Sequence, residues 1–286
     1  MAVSRAMSDF LAALQSQPLL TDGAMGSYLF KLTGRLSESN HVYESFNTDQ
    51  PELIKRVHLD YLAAGARCLK ANTFGANRQQ LRQFGLEDRI AELNRVGVEL
   101  AREAMDKFQS RSPDAGPFFV LASVGPTAEP LDTAFAVAEC YHEQIDALAA
   151  AGADALLLET FHSLPQLELL IGLIRSRSGM PPVIAEMTLH ASNDGKLLDP
   201  DPVDFVNRMA ELGVEVAGVN CCAPWDANTF VDAVQNIAPI SSGALQLVVM
   251  PNAGGFQRIG NRLMTTINPE AAGKMARSFS DRGVRL

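Results

Sequence analysis

The chain has 286 residues, 47% of them hydrophobic, a length that suits one α/β barrel better than two separate cores. Its net charge of −9 comes without any block of like charge, which argues against an extended nucleic-acid footprint and for small-molecule chemistry. Its four cysteines (Cys68, Cys140, Cys221, Cys222) lack the density of a disulfide framework. No segment offers the about 18 uninterrupted apolar residues of a membrane span, or a signal-like apolar stretch of about 7–15 near the amino terminus, so the expectation is a cytoplasmic protein with no membrane partner.

In chain order, the first short apolar run covers residues 19–22 and ends in Thr21-Asp22-Gly23. A segment of mixed polarity, "GSYLFKLTGRLSESNHVYESFNTDQ" (26–50), follows as a long loop placed to wall a pocket. Helical periodicity covers 51–64, then an apolar run covers 67–72 with Lys70 inside it and "ANTFGAN" at its end. A helix at 89–108 leads through "SRSPDAGP" (110–117), a Pro/Gly/Ser loop expected at the opposite face, to a run at 118–124. Beyond it, helices at 135–151, 164–175, 202–212 and 225–237 alternate with runs at 155–159, 183–188, 216–220 and 245–250, and a final run begins at 284–286.

The runs are nearly continuous in apolar residues, as in parallel strands covered on both faces. The steps "AAGARCLK", "AAGADALLLE" and "ELGVEVAGVN" repeat a helix end, a glycine and a buried strand. Eight such runs predict one (β/α)8 TIM barrel over residues 1–286, its last strand and helix truncated and one barrel edge left open.

Barrel chemistry sits where strands end, and these ends are polar. Asp22 either caps a turn into Gly23 or converges with Glu159 on a cationic group such as an amino-acid ammonium. Glu159 closes "ALLLE", where an unpaired carboxylate is costly to bury, and Glu186 has a similar position with the option of a basic neighbour. Asn72 and Thr73 beside Gly75 serve either a turn or a ligand, and "PNAGG" (251–255) offers backbone amides. Cys68 and Cys140 read as buried packing residues. Cys221 and Cys222 end the sixth run beside Asn220; on an extended strand at most one faces the axis, as metal ligand, nucleophile or packing residue. His162 and His190 follow the fourth and fifth runs, where they could approach the mouth.

The ordered set "DGAMG" (22–26), "ANTFGANRQQL" (71–81), "SVGPT" (123–127), "LLLETF" (156–161), "GVNCCAP" (218–224) and "MPNAG" (250–254) resembles the homocysteine S-methyltransferase family, nearer its methionine-synthase side than its betaine side. The resemblance implies a barrel that binds homocysteine and a zinc ion and passes a methyl group to the homocysteine sulfur, making methionine. It implies Asp22 and Glu159 at the substrate ammonium, Gly23 and Thr73 near its carboxylate, Asn220 beside the substrate, and Cys221 as one zinc ligand. The implied donors are methyltetrahydrofolate through cobalamin, S-methylmethionine, S-adenosylmethionine or betaine.

Two departures stand against the pattern. The chain stops at "DRGVRL" (281–286), before the family's Gly-Gly-Cys-Cys segment, so two of three implied zinc ligands are missing and weak zinc binding is expected. "KANTF" places Lys70 and Ala71 where relatives carry polar or acidic residues. The alternatives are an aldolase- or lyase-like barrel enzyme working through Glu159 or a Schiff base at Lys70, and a zinc-free amino-acid-binding module.

Overall fold

The computed structural model describes residues 9–33, 42–189, 200–254, 256–259, 262–265 and 267–286, with the backbone alone at 256–259 and 262–265. Six parallel strands, β1 (Cys68–Ala71), β2 (Phe119–Val124), β3 (Ala155–Phe161), β4 (Val183–Met187), β5 (Val216–Asn220) and β6 (Gln246–Met250), pair in sequence order. Between them run α5 (Arg78–Arg82) and α6 (Ile90–Gln109), α7 (Ala134–Ala150), α8 (Leu164–Arg175), α9 (Pro202–Glu211), and α10 (Pro224–Val234) with α11 (Ala238–Ser241). Before β1 lie α1 (Asp9–Ser16), α2 (Met25–Thr33), α3 (Phe46–Asp49) and α4 (Pro51–Ala63). A short antiparallel pair, β7 (Phe256–Ile259) and β8 (Arg262–Thr265), and α12 (Pro269–Asp281) follow β6.

Local chemistry sets these boundaries. Thr133, Ser163 and Asp201 each accept a backbone N–H from the first turn of the helix they cap. Gly152 and Gly213 take positive φ (80° and 69°) as the chain leaves α7 and α9. Two residues after each of these glycines sits an acid, and both acids do the same job. Asp154 accepts the Val120 N–H at 2.7 Å and pairs with Arg102 at 2.6 Å; Glu215 accepts the Val183 N–H at 2.9 Å and pairs with Arg175 at 2.8 Å. The Gly-x-acid step therefore ties each incoming strand to the neighbouring strand and to the helix that leads into that neighbour.

The outer sheet face (Leu69, Val120, Leu156, Leu158, Ala217, Leu247) packs on Val98, Tyr141, Leu167, Phe205 and Phe230 of the helices. The inner face, at the amino-terminal ends of the strands, holds Cys68, Phe119, Leu121, Leu157, Ile184 and Val248. Phe10 and Leu14 of α1 plug that end, with Phe10 edge-on to Phe119 at 5.5 Å between ring centroids.

Hydrogen bonds continue past both edges of the six-stranded sheet. Thr21 bridges Cys68 in parallel, and Val284 bridges Leu247. Val249 N–H donates to Leu286 at 3.0 Å, and Leu19 N–H donates to Arg285 at 2.8 Å. The expected open edge is thus corrected: residues 284–286 already link β6 to the 19–22 segment, because three residues supply enough backbone groups for both neighbours. The polar segment after residue 25 is also more ordered than expected, since α2 and α3 bury Leu29 and Phe46 against Ile54 and Val57 of α4. Sequence reading missed α12 and the β7–β8 hairpin.

Candidate active site

Side chains alternate across a strand, so the inward column of each strand can be followed from one end to the other. Cys68 leads to Lys70, Leu121 to Ser123, Leu157 to Glu159, Ile184 to Glu186, and Gly218 to Asn220. At every one of these steps the column changes from apolar or small to polar at the carboxyl end. Asp22 joins this layer from the neighbouring segment, where its N–H donates to Cys68 O at 2.9 Å. Asp22, Ser123, Glu159, Glu186 and Asn220 are all buried, and Lys70 is nearly so.

Lys70 lies at the centre of the acids. Its Nζ is 3.7 Å from Glu159 Oε2, and its backbone N–H donates to Asp22 Oδ2 at 3.0 Å. Burial alone would push its ammonium towards neutrality, but the charges of Glu159, Asp22 and Glu186 outweigh that and hold it protonated above the usual lysine range. Glu159 is held by Ser123 Oγ, which donates to Oε1, and by Asn220 Nδ2 at 3.3 Å from Oε2.

Asp22 and Glu186 are less satisfied. Burial raises Asp22 to about 7 against the lowering effect of Lys70, and its Oδ1 has no hydrogen-bond partner. Glu186 is fully buried with neither carboxylate oxygen bonded, and burial followed by repulsion from Glu159 holds it well above the carboxylate range. The layer thus offers unmet acceptors around one cation.

Gly23 passes under Tyr61, where a β-carbon would stand 2.8 Å from the phenol oxygen. Burial, then Asp22, lifts that phenol to about 12. Thr73 is fully buried, donates to Ser123 O at 2.7 Å, and sets its methyl 2.6 Å from the point a Gly97 β-carbon would take. Its hydroxyl is therefore spent inside the wall. Asn72 is likewise committed, donating to Tyr43 O and Asn47 Oδ1 at 2.8 and 2.9 Å.

The two cysteines part company. Cys222 is buried and raised to about 12 by burial and Asp226. Cys221 is exposed, takes φ 52°, and donates its backbone N–H to Met250 O at 3.1 Å. Burial of its sulfur, then the Glu159 charge, raises its thiol. His162 is exposed on the same side, and His190 lies outside the described residues.

Zinc takes four donors, at least three of them from protein. Cys221 brings one thiol to the mouth, Cys222 turns into the core, and among the described residues no three His, Cys, Asp or Glu side chains gather as metal ligands. The donors present do not fit zinc on their own, so no chemical step is routed through it.

Residues without a signal in the sequence also shape the site. Glu44 is buried, accepts the Gly75 N–H at 2.5 Å, and is raised by burial. Tyr61 and Glu44 reach the mouth from α4 and from the turn before α3, contacts that no local pattern announces.

A family model described as homocysteine S-methyltransferase matches residues 19–286. The methionine synthase of Mycobacterium tuberculosis (strain ATCC 25618 / H37Rv) is 31% identical over 261 residues, covering 86% of this chain and 21% of that protein. The homocysteine S-methyltransferase of Escherichia coli (strain K12) is 31% identical over 250 residues, 82% of this chain and 78% of that protein. The chain thus spans about a fifth of the methionine synthase and most of the shorter enzyme. The crystal structure of the homocysteine methyltransferase MmuM from Escherichia coli, in its metallated form, aligns with a TM-score of 0.79 at 26% identity, covering 96% of this chain and 92% of that one.

Proposed function

The chain belongs to the homocysteine S-methyltransferase family, and from that premise we propose that it binds homocysteine at its strand ends as the acceptor of a methyl group. The observation that carries the reading is the acid layer: Asp22 and Glu159 stand on neighbouring parts of one buried mouth, with Asp22 Oδ1 still lacking a partner. An ammonium supplies the donors these acceptors lack. We read the six-stranded sheet and its two bridging segments as one (β/α)8 barrel whose domain is the whole chain.

In the transfer, the acceptor sulfur gives up its proton to solvent and attacks the methyl carbon. The sulfur–carbon bond forms as the donor–methyl bond breaks, and that bonding pair leaves with the donor. The chain's contribution is orientation. Glu159, braced by Ser123 and Asn220, and Asp22 fix the amino end, and Gly23 lets the backbone pass close under Tyr61. Cys221 lies at the open side, where the acceptor sulfur would point, as a single donor towards the metal that the resemblance implies.

A Schiff base at Lys70 is disfavoured, because an amine held protonated above the usual lysine range by the surrounding acids is a poor nucleophile. A binding module without transferase activity is a second reading, favoured by Cys221 being the one exposed cysteine. The test is methionine formation from homocysteine with each of methyltetrahydrofolate plus methylcobalamin, S-methylmethionine, S-adenosylmethionine and betaine, with zinc present. Product with any donor supports the transferase. Methionine binding without turnover supports the module, and neither binding nor turnover defeats both.

A further inference from the structure

We propose that Lys70 is the residue that binds the acceptor's α-carboxylate, so that the site is a receptor for a zwitterionic amino-acid head rather than for an ammonium alone. The inference rests on the amino-acid acceptor reading above. An α-amino acid carries its cation and its anion on one carbon, so a fitting site needs unmet acceptors beside unmet donors.

The acceptors are Asp22 Oδ1 and, as a neutral acid, Glu186, both buried and unbonded. The donors are on Lys70. An ammonium has three N–H groups, and among the described residues its ion pair is with Glu159 at 3.7 Å, beyond hydrogen-bond length. Glu159 meanwhile is already bonded through Ser123 and Asn220. Lys70 is therefore confined by charge yet free to donate. When the acceptor's ammonium arrives at Asp22 and Glu159, like charge pushes Lys70 away from Glu159, and the carboxylate entering beside it gives those N–H groups a partner.

The other polar groups expected near the carboxylate are less available. Thr73 spends its hydroxyl on Ser123 O. Gly23 offers backbone alone, and a neutral amide contact is weaker than a charge-assisted one.

The test is calorimetric binding of three thioethers: methionine, 3-(methylthio)propylamine, which lacks the carboxylate, and 4-(methylthio)butanoate, which lacks the ammonium. The wild-type chain is expected to bind methionine at least tenfold more tightly than the amine. Lys70→Met should weaken methionine by on the order of 10- to 100-fold and leave the amine unchanged or tighter, while Lys70→Arg retains most of the methionine affinity. Methionine bound as tightly or more tightly by Lys70→Met overturns the proposal and makes Lys70 a competitor for the acid pair. If the variant does not fold, equal wild-type affinity for methionine and the amine overturns it instead. Failure of the wild type to bind all three thioethers defeats the amino-acid reading itself, a different result from binding that ignores Lys70.

Discussion

Asn220 grips Thr160 at two points: its Nδ2 donates to Thr160 Oγ1 at 2.8 Å and its Oδ1 accepts the Thr160 N–H at 2.9 Å. Thr160 needs the grip, because it is a β-branched residue at φ 68°, a conformation that costs about 1–3 kcal/mol. The same Asn220 side chain reaches Glu159 Oε2, so one amide fixes both the strained turn and the carboxylate beside it. Asn220→Ala removes all three contacts and strands a backbone N–H, for an expected loss of about 2–3 kcal/mol in urea unfolding. Thr160→Gly relieves the strain but gives up one hydrogen bond, and should fall within about 1 kcal/mol of wild type. A Thr160→Gly loss as large as that of Asn220→Ala would mean that the backbone at residue 160 is not strained.

Asp22 predicts two pH responses of opposite sign. Its carboxyl is raised to about 7, so the folded chain holds this proton more tightly than the unfolded chain does. Its contribution to stability is therefore full below the ordinary value of 3.8 and is lost as pH rises through about 7. Ligand binding runs the other way, since an acceptor ammonium prefers the ionised form. Methionine affinity should rise about tenfold from roughly pH 6 to 8 as one carboxyl ionises. Asp22→Asn should flatten that profile in calorimetry and stabilise the fold at roughly pH 8 by on the order of 2 kcal/mol. An unaltered binding profile in Asp22→Asn would assign the titration to another group.

Gly218 faces the carbonyl of Val248 on β6, and a β-carbon placed there would stand 1.7 Å from that oxygen. The clash is with backbone held in register on both sides, so it has no side-chain route of escape. Gly218→Ala should cost at least about 3 kcal/mol, above the usual range for overpacking. Thermal unfolding is the measurement, and a midpoint within a few degrees of wild type would show that β5 and β6 can separate locally.

Much of this was legible in the sequence because it depends on short-range pattern. Continuous apolar runs and the Ala/Leu-Gly steps give β1 to β6 nearly residue for residue, and the polar change at each strand end marks the layer holding Glu159, Glu186 and Asn220. What the sequence hides is set by partners far along the chain. Thr73 looks like a binding hydroxyl until Ser123 O and Gly97 are seen to enclose it. Glu44 sits in a segment with no periodic signal, and its role appears once Gly75 is beside it. Residues 284–286 are legible as the start of a last run, but not their closure of the edge: three residues carry no periodicity, yet they pair on both sides.

Cys221 and Cys222 give the last prediction, which concerns metal as well as thiol chemistry. Cys222 is buried and raised to about 12, whereas Cys221 is exposed, its thiol raised by burial of the sulfur and by Glu159. Only a thiolate alkylates quickly, and Cys68 and Cys140 are buried as well. Iodoacetamide on the native chain should therefore modify Cys221 first, slowly at neutral pH, with the other three protected until unfolding. Because the described residues bring no second and third ligand to Cys221, micromolar zinc should not slow that modification, and a chelator should leave the unfolding midpoint of the 286-residue chain unchanged. Protection of Cys221 by stoichiometric zinc, mapped by peptide mass, would show that the chain completes the coordination itself and would reverse the conclusion that its donors do not fit the metal.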